Sequence, residues 1–259
     1  MVPSFFDLTG HVALVTGGNS GVGIGLAQGL VQAGATVRIW GTNPQKNDAA
    51  VAELSTFGPN VSAAIVDVSD EEAVRAAMAA LVGDLGKIDS CFANAGISGL
   101  FANPSFLDST VDEWRRMLAV NVEGTYVTLR EAARYMVERG EGGSLVATAS
   151  LAGVEFGAPR DEAYAVTKAG IVGLTKSLAV TFGKHGIRAN ALLPGWTMSP
   201  QTEAWAQHDR VAERIMARIP LRRWGQPEDW AGIAVYLASN ASSFHTGDTF
   251  RLDGGYSVF

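Results

Sequence analysis

Short apolar segments recur along the chain, and most of them are continuously apolar rather than alternating between apolar and polar residues. A continuous apolar run is typical of a β-strand that is covered on both faces, as in a parallel sheet flanked by helices. On this basis we predict seven strands, at His11–Thr16, Ala35–Trp40, Val61–Val66, Ile88–Ala93, Ser144–Thr148, Ile187–Leu193 and Thr249–Leu252.

Segments with the apolar spacing of helices lie between these strands. The alternation predicts an α/β fold of the doubly wound, Rossmann type, with a mostly parallel seven-stranded sheet and helices on both faces. No Pro/Ser-rich linker or internal repeat divides the 259 residues, so we expect a single domain over residues 1–259. The predicted helices are Gly21–Ala33, Asp70–Val82, Val111–Arg139, Glu162–Phe182 and Pro227–Ser239.

Residues 195–225 form the least regular stretch, with Trp196, Trp205 and Trp224 set among polar residues. Ligands of doubly wound sheets bind at the carboxyl ends of the strands, and a long insertion above that edge is often a lid. We therefore predict a substrate lid at about 195–225. An ordinary helical hairpin packed on the core is the alternative.

The net charge and the composition argue against some classes of binding partner. The chain carries a formal net charge of −6 and no basic block, which argues against a nucleic-acid partner. Cys91 is the single cysteine and has no metal-ligand spacing with the four histidines, so we expect neither an internal disulfide nor a metal site. We find no signal-peptide pattern and no segment of membrane-spanning length, and we expect a cytoplasmic location without a membrane partner.

A glycine-rich turn follows the first predicted strand and opens a helix. Glycines let the backbone approach a pyrophosphate, and the helix N-terminus offers free N–H groups and a partial positive charge. Such a turn can also simply close a β–α unit, but its strand–turn–helix setting favours a dinucleotide site. The predicted cofactor contacts here are Gly17, Asn19, Ser20, Gly21, Val22 and Gly23.

The end of the second strand bears on the choice of dinucleotide. An acid about 20 residues past the glycines usually binds the ribose 2′-hydroxyl of NAD. No Asp or Glu lies between Gly34 and Lys46, and Gly41, Thr42 and Asn43 occupy the strand end. A 2′-phosphate would meet no repulsion there, so we favour NADP(H). Because no arginine clamp is present, NAD(H) stays open.

A Tyr-x-x-x-Lys pair lies in the predicted helix Glu162–Phe182. Tyr164 and Lys168 share one face of that helix, and an ammonium group near a phenol is expected to lower the phenol pKa. Ser150 follows the strand Ser144–Thr148, where its hydroxyl can hydrogen bond a substrate oxygen. A lone Tyr-x-x-x-Lys is usually a surface pair, but the serine favours an acid–base site.

Together these motifs resemble the classical short-chain dehydrogenase/reductase family over essentially the whole chain. The resemblance rests on Thr16–Gly23, Asn94-Ala95-Gly96, Asn121, Ser150, Tyr164, Lys168, Pro194-Gly195 and Asp253-Gly254-Gly255.

The resemblance implies a role for each matching residue. Tyr164 would be the proton donor or acceptor, and Ser150 would orient the substrate oxygen. Lys168 would lower the tyrosine pKa and hold the nicotinamide ribose, while Asn121 would hold a water linked to the lysine. The further implied cofactor contacts are Asp67, Val68, Asn94, Ala95, Gly96, Tyr164, Lys168, Pro194, Gly195, Thr197 and Ser199.

Two acids, Asp161 and Glu162, stand just before the tyrosine. Acids in the first turn of a helix are stabilised by the helix dipole, and we favour that interpretation. The alternative is that they line the mouth of the site and influence the choice of substrate.

The function that follows is an NAD(P)-dependent oxidoreductase that interconverts a carbonyl and a secondary alcohol by hydride transfer. A β-ketoacyl-type reductase and a sugar or polyol dehydrogenase both fit. A cofactor-binding regulator without catalysis, and a dehydratase or epimerase on the same scaffold, are the alternatives of other classes. The apolar aromatic residues of the predicted lid favour a moderately hydrophobic small molecule, and the resemblance implies a homotetramer.

Overall fold

The computed structural model describes residues 4–99 and 105–259. Seven strands of this part of the chain form one sheet in the order β3-β2-β1-β4-β5-β6-β7, and every neighbouring pair is parallel. The predicted doubly wound fold is confirmed. The strands are β1 Val12–Thr16, β2 Thr36–Gly41, β3 Val61–Ile65, β4 Ser90–Ala93, β5 Gly143–Thr148, β6 Ile187–Pro194 and β7 Thr249–Leu252.

Helices cover both faces of the sheet. One apolar core lies under α3, α5 and α6, and a second lies under α1, α2 and α9. Within residues 4–99 and 105–259, no helix has both the length and the apolar character needed to cross a bilayer. The α-helices are α1 Gly21–Gln32, α2 Pro44–Leu54, α3 Glu71–Leu85, α4 Val111–Leu118, α5 Gly124–Arg139, α6 Glu162–Phe182, α7 Glu203–Ala206, α8 Asp209–Ala217 and α9 Ala231–Ala238.

Three helical segments differ from the prediction. The predicted helix Val111–Arg139 is divided by a π-helical turn at Ala119–Glu123, and a 3-10 turn at Pro227–Trp230 precedes α9. Helix α2 was not predicted, because its surface is mostly polar. Its N-terminus is nevertheless well specified, since Pro44 occupies the first turn and the Asn43 side chain accepts a hydrogen bond from the Lys46 N–H at 2.9 Å.

Helix α1 packs very closely against the segment that leads into α9. A Cβ atom at Gly29 would lie 2.6 Å from the Cα of Ala231, and one at Gly25 would overlap the backbone of Pro227. The two glycines are four residues apart and therefore lie on one face of α1. This backbone contact fixes the helix whose N-terminus faces the cleft.

The α1 contact predicts the effect of one methyl group. Gly29→Ala should lower the free energy of unfolding by about 1–3 kcal/mol, because the Ala231 backbone leaves no room for the added carbon. Gly83→Ala is the matched control, since Gly83 lies in α3 with nothing within 4 Å of a Cβ there, and it should stabilise the protein by about 0.5–1 kcal/mol. Chemical denaturation of both variants tests this. Equal stability of the two would contradict the packing argument.

Candidate functional site

A cleft of about 630 Å³ opens at the carboxyl ends of the parallel strands. It spans the point between β1 and β4 at which the strand order changes direction. Ligands of open α/β sheets bind at this point, because the connections from the two neighbouring strands run to opposite faces and leave a crevice.

The glycine-rich turn forms one wall of the cleft. Gly17 and Gly21 have φ of 62° and 53°, a region that residues with a Cβ rarely adopt. A Cβ at Gly23 would overlap the carbonyl oxygen of Gly17, so the turn closes only with glycine there. The side chain of Ser20 makes no capping bond to α1, and the first residues of that helix, Gly21 and Val22, line the cleft.

Thr16 and Asn94 join the ends of three strands beneath the turn. The Thr16 hydroxyl accepts hydrogen bonds from the N–H groups of Asn94 and Ala95, both at 3.0 Å. The Asn94 side chain donates to the Thr16 carbonyl at 3.1 Å and accepts from the Thr148 hydroxyl at 3.0 Å. The carboxyl ends of β1, β4 and β5 are therefore fixed relative to one another.

A buried asparagine that the sequence analysis missed ties the turn to β2. Asn47 is 2% exposed, and its side chain accepts from Asn19 at 2.7 Å and donates to the carbonyl of Gly41 at 3.0 Å. Exposed Thr42 and Asn43 continue from Gly41 along the rim of the cleft. The Asn19 amide is thus used to position the loop.

Ser150, Tyr164 and Lys168 lie together at the other end of the cleft. Ser150 lies close enough to the Tyr164 phenol to lower its pKa. The Lys168 Nζ lies 5.5 Å from the centre of the Tyr164 ring and donates to the Thr148 carbonyl oxygen at 2.7 Å. The predicted convergence of these three side chains is present in the structure.

The pKa values differ from the expectation in one respect. Burial raises the pKa of Tyr164, the Ser150 hydrogen bond opposes that rise, and the negative charge of Asp161 adds to it. Lys168 is not among the groups that shift this pKa, and its Nζ donates to the Thr148 carbonyl, so the expected lowering of the tyrosine pKa by Lys168 stays a prediction. Burial lowers the pKa of Lys168 itself to about 8.

Asn121 lies beneath the cleft, in the π-helical turn. Its Oδ1 accepts from the Ile97 N–H and its Nδ2 donates to the Ile97 carbonyl, both at 2.8 Å. A Cβ at Gly96 would lie 3.2 Å from that Oδ1 and 3.3 Å from the Lys168 Nζ. The asparagine therefore fixes the loop after β4 close to the lysine.

Asp161 behaves differently from a solvated acid at the start of a helix. It is 4% exposed and makes no capping hydrogen bond to α6. Its Oδ1 accepts from the Gly99 N–H at 3.1 Å. Burial raises its pKa to about 6, and the Gly99 hydrogen bond acts in the opposite direction. Asp161 is therefore at the N-cap of α6, as the first-turn interpretation expects, but it is buried rather than solvated.

Aromatic side chains surround the segment that follows β6. The Trp196 ring lies 6.2 Å from Trp205, 5.5 Å from Trp224 and 6.3 Å from Tyr256, measured between centroids. The Phe156 ring lies 5.6 Å from Tyr256 and lines the cleft with Trp196. Residues 195–225 contain α7 and α8, so the helical-hairpin description fits their secondary structure.

The cleft brings together most of the predicted contacts. Two predicted residues do not line it: Gly23 packs beneath the glycine turn, and Asn121 lies beneath Gly96. The predicted residues that line it are Gly17, Asn19, Ser20, Gly21, Val22, Gly41, Thr42, Asn43, Asp67, Val68, Asn94, Ala95, Gly96, Ser150, Tyr164, Lys168, Pro194, Gly195, Thr197 and Ser199.

Other lining residues carry no motif of their own and were missed. Examples are Ile97, Leu151, Phe156 and Gln201. Each follows a predicted site residue closely in the chain, so proximity in sequence is the one signal that could have found them. The Gln201 side chain donates to the Gly96 carbonyl at 2.7 Å and so joins the two walls of the cleft.

These features fit a dinucleotide. The turn before α1 has no room for a side chain at Gly23, and the N-terminus of α1 faces the cleft. Ser150 and Tyr164 place their hydroxyls at the far end of the cleft. Residues 17–257 match the family model described as enoyl-(acyl carrier protein) reductase. The chain belongs to the classical short-chain dehydrogenase/reductase family. It is accordingly an NAD(P)-dependent oxidoreductase.

Three members of the family illustrate how close the similarity is. Gluconate 5-dehydrogenase of Gluconobacter oxydans is 36% identical over 256 residues, which are 99% of this chain and 98% of that protein. L-rhamnose 1-dehydrogenase (NAD(P)(+)) of a Sphingomonas species is 38% identical over 97% of this chain and 98% of its own length. The crystal structure of a gluconate 5-dehydrogenase from Burkholderia cenocepacia with NADP and tartrate has a TM-score of 0.90 at 32% identity, covering 98% of both chains.

The environment of Asp161 predicts a pH-dependent stability difference. Its pKa is about 6 in the folded chain and about 3.9 in an unfolded one, so the folded state binds the extra proton between these values. The contribution of Asp161 to stability therefore falls as pH rises from about 4 to 6. Asp161→Asn should remove this loss and gain up to about 3 kcal/mol over wild type above pH 6. Denaturation at pH 4 and pH 7 measures it, and a pH-independent difference would contradict the assignment.

Proposed function

We propose that this enzyme interconverts a ketone and a secondary alcohol, with Tyr164 as the general acid or base and NADP(H) as the preferred cofactor. One observation carries the proposal: the Tyr164 and Ser150 side chains lie near each other at the end of a cleft that begins at a helix N-terminus. Two neighbouring hydroxyls can share the oxygen of one carbonyl.

Each polar side chain at this end has a distinct task. Ser150 donates to the substrate oxygen and orients it, and Tyr164 transfers the proton to or from that oxygen. Lys168, held by the Thr148 carbonyl, binds ribose hydroxyls and keeps a positive charge beside the site. The bound nicotinamide supplies or accepts the hydride. Asn121 fixes the Ile97 loop and holds a water next to the lysine.

The rim near β2 supports the preference for NADP(H). Thr42 and Asn43 are exposed at the cleft, Lys46 lines it as well, and none of these residues is acidic. A phosphate on the adenosine ribose would meet hydrogen-bond donors and one cation here. The solved relative from Burkholderia cenocepacia contains NADP, which supports the same preference.

Three further parts of the proposal rest on less direct support. Residues 195–225 act as a substrate lid, since Trp196, Pro200 and Gln201 line the cleft and lead directly into α7 and α8. A homotetramer would cover exposed apolar side chains on α5 and α6, such as Tyr126, Val166 and Val180. The cytoplasmic location stays a prediction.

Removing one hydroxyl tests the role of Tyr164. Tyr164→Phe should lower kcat at least about 100-fold, because it deletes the proton donor, while the dissociation constant for NADPH stays within about twofold. Tyr126→Phe is the matched control, because Tyr126 is 46% exposed on α5 and should keep full activity. Initial rates and fluorescence titration give the two readouts. Full turnover in Tyr164→Phe would remove the proposed mechanism.

Adding one charge tests the cofactor preference. Thr42→Asp should reduce the ratio of kcat/KM for NADPH to that for NADH by about tenfold or more, since a carboxylate repels the 2′-phosphate and accepts from the 2′-hydroxyl. Thr42→Val, which removes the hydroxyl without adding charge, should change the ratio less. An unchanged ratio in Thr42→Asp would place the phosphate elsewhere.

A further inference from the structure

Tyr256 lies behind two aromatic side chains that line the cleft. Its ring centroid is 5.6 Å from that of Phe156 and 6.3 Å from that of Trp196, and both of these residues line the cleft. Tyr256 itself does not line the cleft and is 7% exposed, whereas Phe156 is 37% exposed. The tyrosine therefore supports this aromatic wall, formed by Phe156 and Trp196, from the side of the protein interior.

The two residues of the aromatic wall come from different segments of the chain. Phe156 belongs to the loop between Ser150 and α6, and its carbonyl accepts from the Gly153 N–H at 2.7 Å, which folds the loop back on the residues that follow Ser150. Trp196 follows the end of β6 by two residues. Segments outside the sheet are positioned by the contacts between them, and the Tyr256 ring touches both.

The turn that carries Tyr256 is fixed by its own hydrogen bonds. The Asp253 carboxylate accepts from the Gly255 N–H at 2.9 Å, and from the N–H and hydroxyl of Ser257 at 2.9 and 2.6 Å. Gly254 and Gly255 have φ of 64° and 91°, which favours glycine at both positions. The backbone therefore fixes where the Tyr256 ring starts.

Arg218 restrains the same ring from the end of α8. Its Cζ lies 4.3 Å from the centroid of the Tyr256 ring, and its Nη1 donates to the phenol oxygen at 3.0 Å. A cation over an aromatic face is attracted to it, and the hydrogen bond adds a fixed direction. Arg218 is the C-cap residue of α8, so Tyr256 also joins the aromatic wall to the segment that we propose as the lid.

We infer that Tyr256 is a positioning residue for the substrate end of the cleft. It holds Phe156 and Trp196 in place, so that a ketone packed against their rings reaches the hydroxyls at that end. The inference rests on the proposed function and adds to it a residue outside the cleft. The Asp253-Gly254-Gly255 motif then has a physical task in this chain, because it places the tyrosine.

This arrangement separates binding from chemistry. Tyr256 does not line the cleft, so the proton transfer at Tyr164 does not involve its hydroxyl. The glycine turn is held by Thr16 and Asn94, at the other end of the cleft. A displaced aromatic wall should therefore weaken substrate binding and leave the affinity for the cofactor unchanged.

Removing the ring tests the inference. Tyr256→Leu should raise KM for a ketone about fivefold or more, while kcat and the dissociation constant for NADPH stay within about threefold. Tyr256→Phe keeps the ring and loses only the bond to Arg218, so its KM should stay within about twofold of wild type. Acetophenone, cyclohexanone and ethyl acetoacetate are the probes, and fluorescence titration gives the dissociation constant.

Tyr236→Leu is the matched control. Tyr236 is also partly buried, and its ring lies 6.0 Å from His245 and 6.1 Å from Phe250, but it belongs to α9 and does not line the cleft. The substitution should lower the free energy of unfolding and leave KM within about twofold of wild type. An equal rise of KM in both leucine variants would indicate a general loosening of the fold and would overturn the inference.

Arg218→Met tests the same contact at an exposed residue, without removing a buried side chain. It should raise KM about two- to threefold, because the ring loses the cation that restrains it. This variant decides the question if Tyr256→Leu does not fold.

Trp196 provides a measurement that needs no turnover. Acrylamide quenches the fluorescence of tryptophans that it can reach, and loss of the Tyr256 ring should make Trp196 easier to reach. Tyr256→Leu should therefore raise the quenching constant, and most of that rise should be absent when Trp196→Phe is also present.

The outcomes distinguish the inference from the proposed function. An unchanged KM in Tyr256→Leu, or a KM in Tyr256→Phe as high as in Tyr256→Leu, would overturn the inference and leave the proposed function intact if turnover still depends on Tyr164. Turnover of no ketone with either cofactor would overturn the proposed function. Acrylamide quenching would then still decide whether Tyr256 holds the aromatic wall, and an unchanged quenching constant would show that it does not.

Discussion

The hydrogen bonds between Thr16 and Asn94 are the constraint on which the cleft depends. They join β1 to β4, and the Thr148 hydroxyl adds β5 through the same asparagine. The strand on one side carries the glycine turn, and the strand on the other leads to Ser150. A shift between these strands would move the two ends of the cleft relative to each other, so the bonds of Thr16 and Asn94 set the distance between the glycine-rich turn and the hydroxyls of Ser150 and Tyr164.

The sheet could be predicted because a parallel strand covered on both faces is apolar along its whole length. Each predicted strand overlaps an observed one, and no end differs by more than two residues. Helix α2 was not predicted, because its mostly polar surface obscures the helical spacing of its apolar residues. Asn43 and Pro44 nevertheless mark its start. The π-helical turn at Ala119–Glu123 was not predicted for another reason. The Asn121 side chain in it bonds a loop 24 residues away, and local spacing carries no sign of that contact.

The site was predictable as far as its residues belong to local motifs. Gly17, Ser150 and Tyr164 could be found because each stands at a strand end or on one helix face, where neighbours in sequence are neighbours in space. Asn47 and Asp161 act through contacts between residues that are distant in sequence. In the sequence alone, Asn47 resembles an ordinary helix residue and Asp161 resembles an acid at the start of a helix. The direction of the tyrosine pKa shift could not be predicted from the sequence. The spacing placed Lys168 near the ring but did not show that its Nζ donates to the Thr148 carbonyl.

The groups around Tyr164 act together on its protonation state. Burial and the negative charge of Asp161 both favour the neutral phenol, and only the Ser150 hydrogen bond opposes them. A phenol kept protonated is a proton donor, which is the role that carbonyl reduction requires. The Asp161 carboxylate therefore favours the acid form of Tyr164, the proposed proton donor.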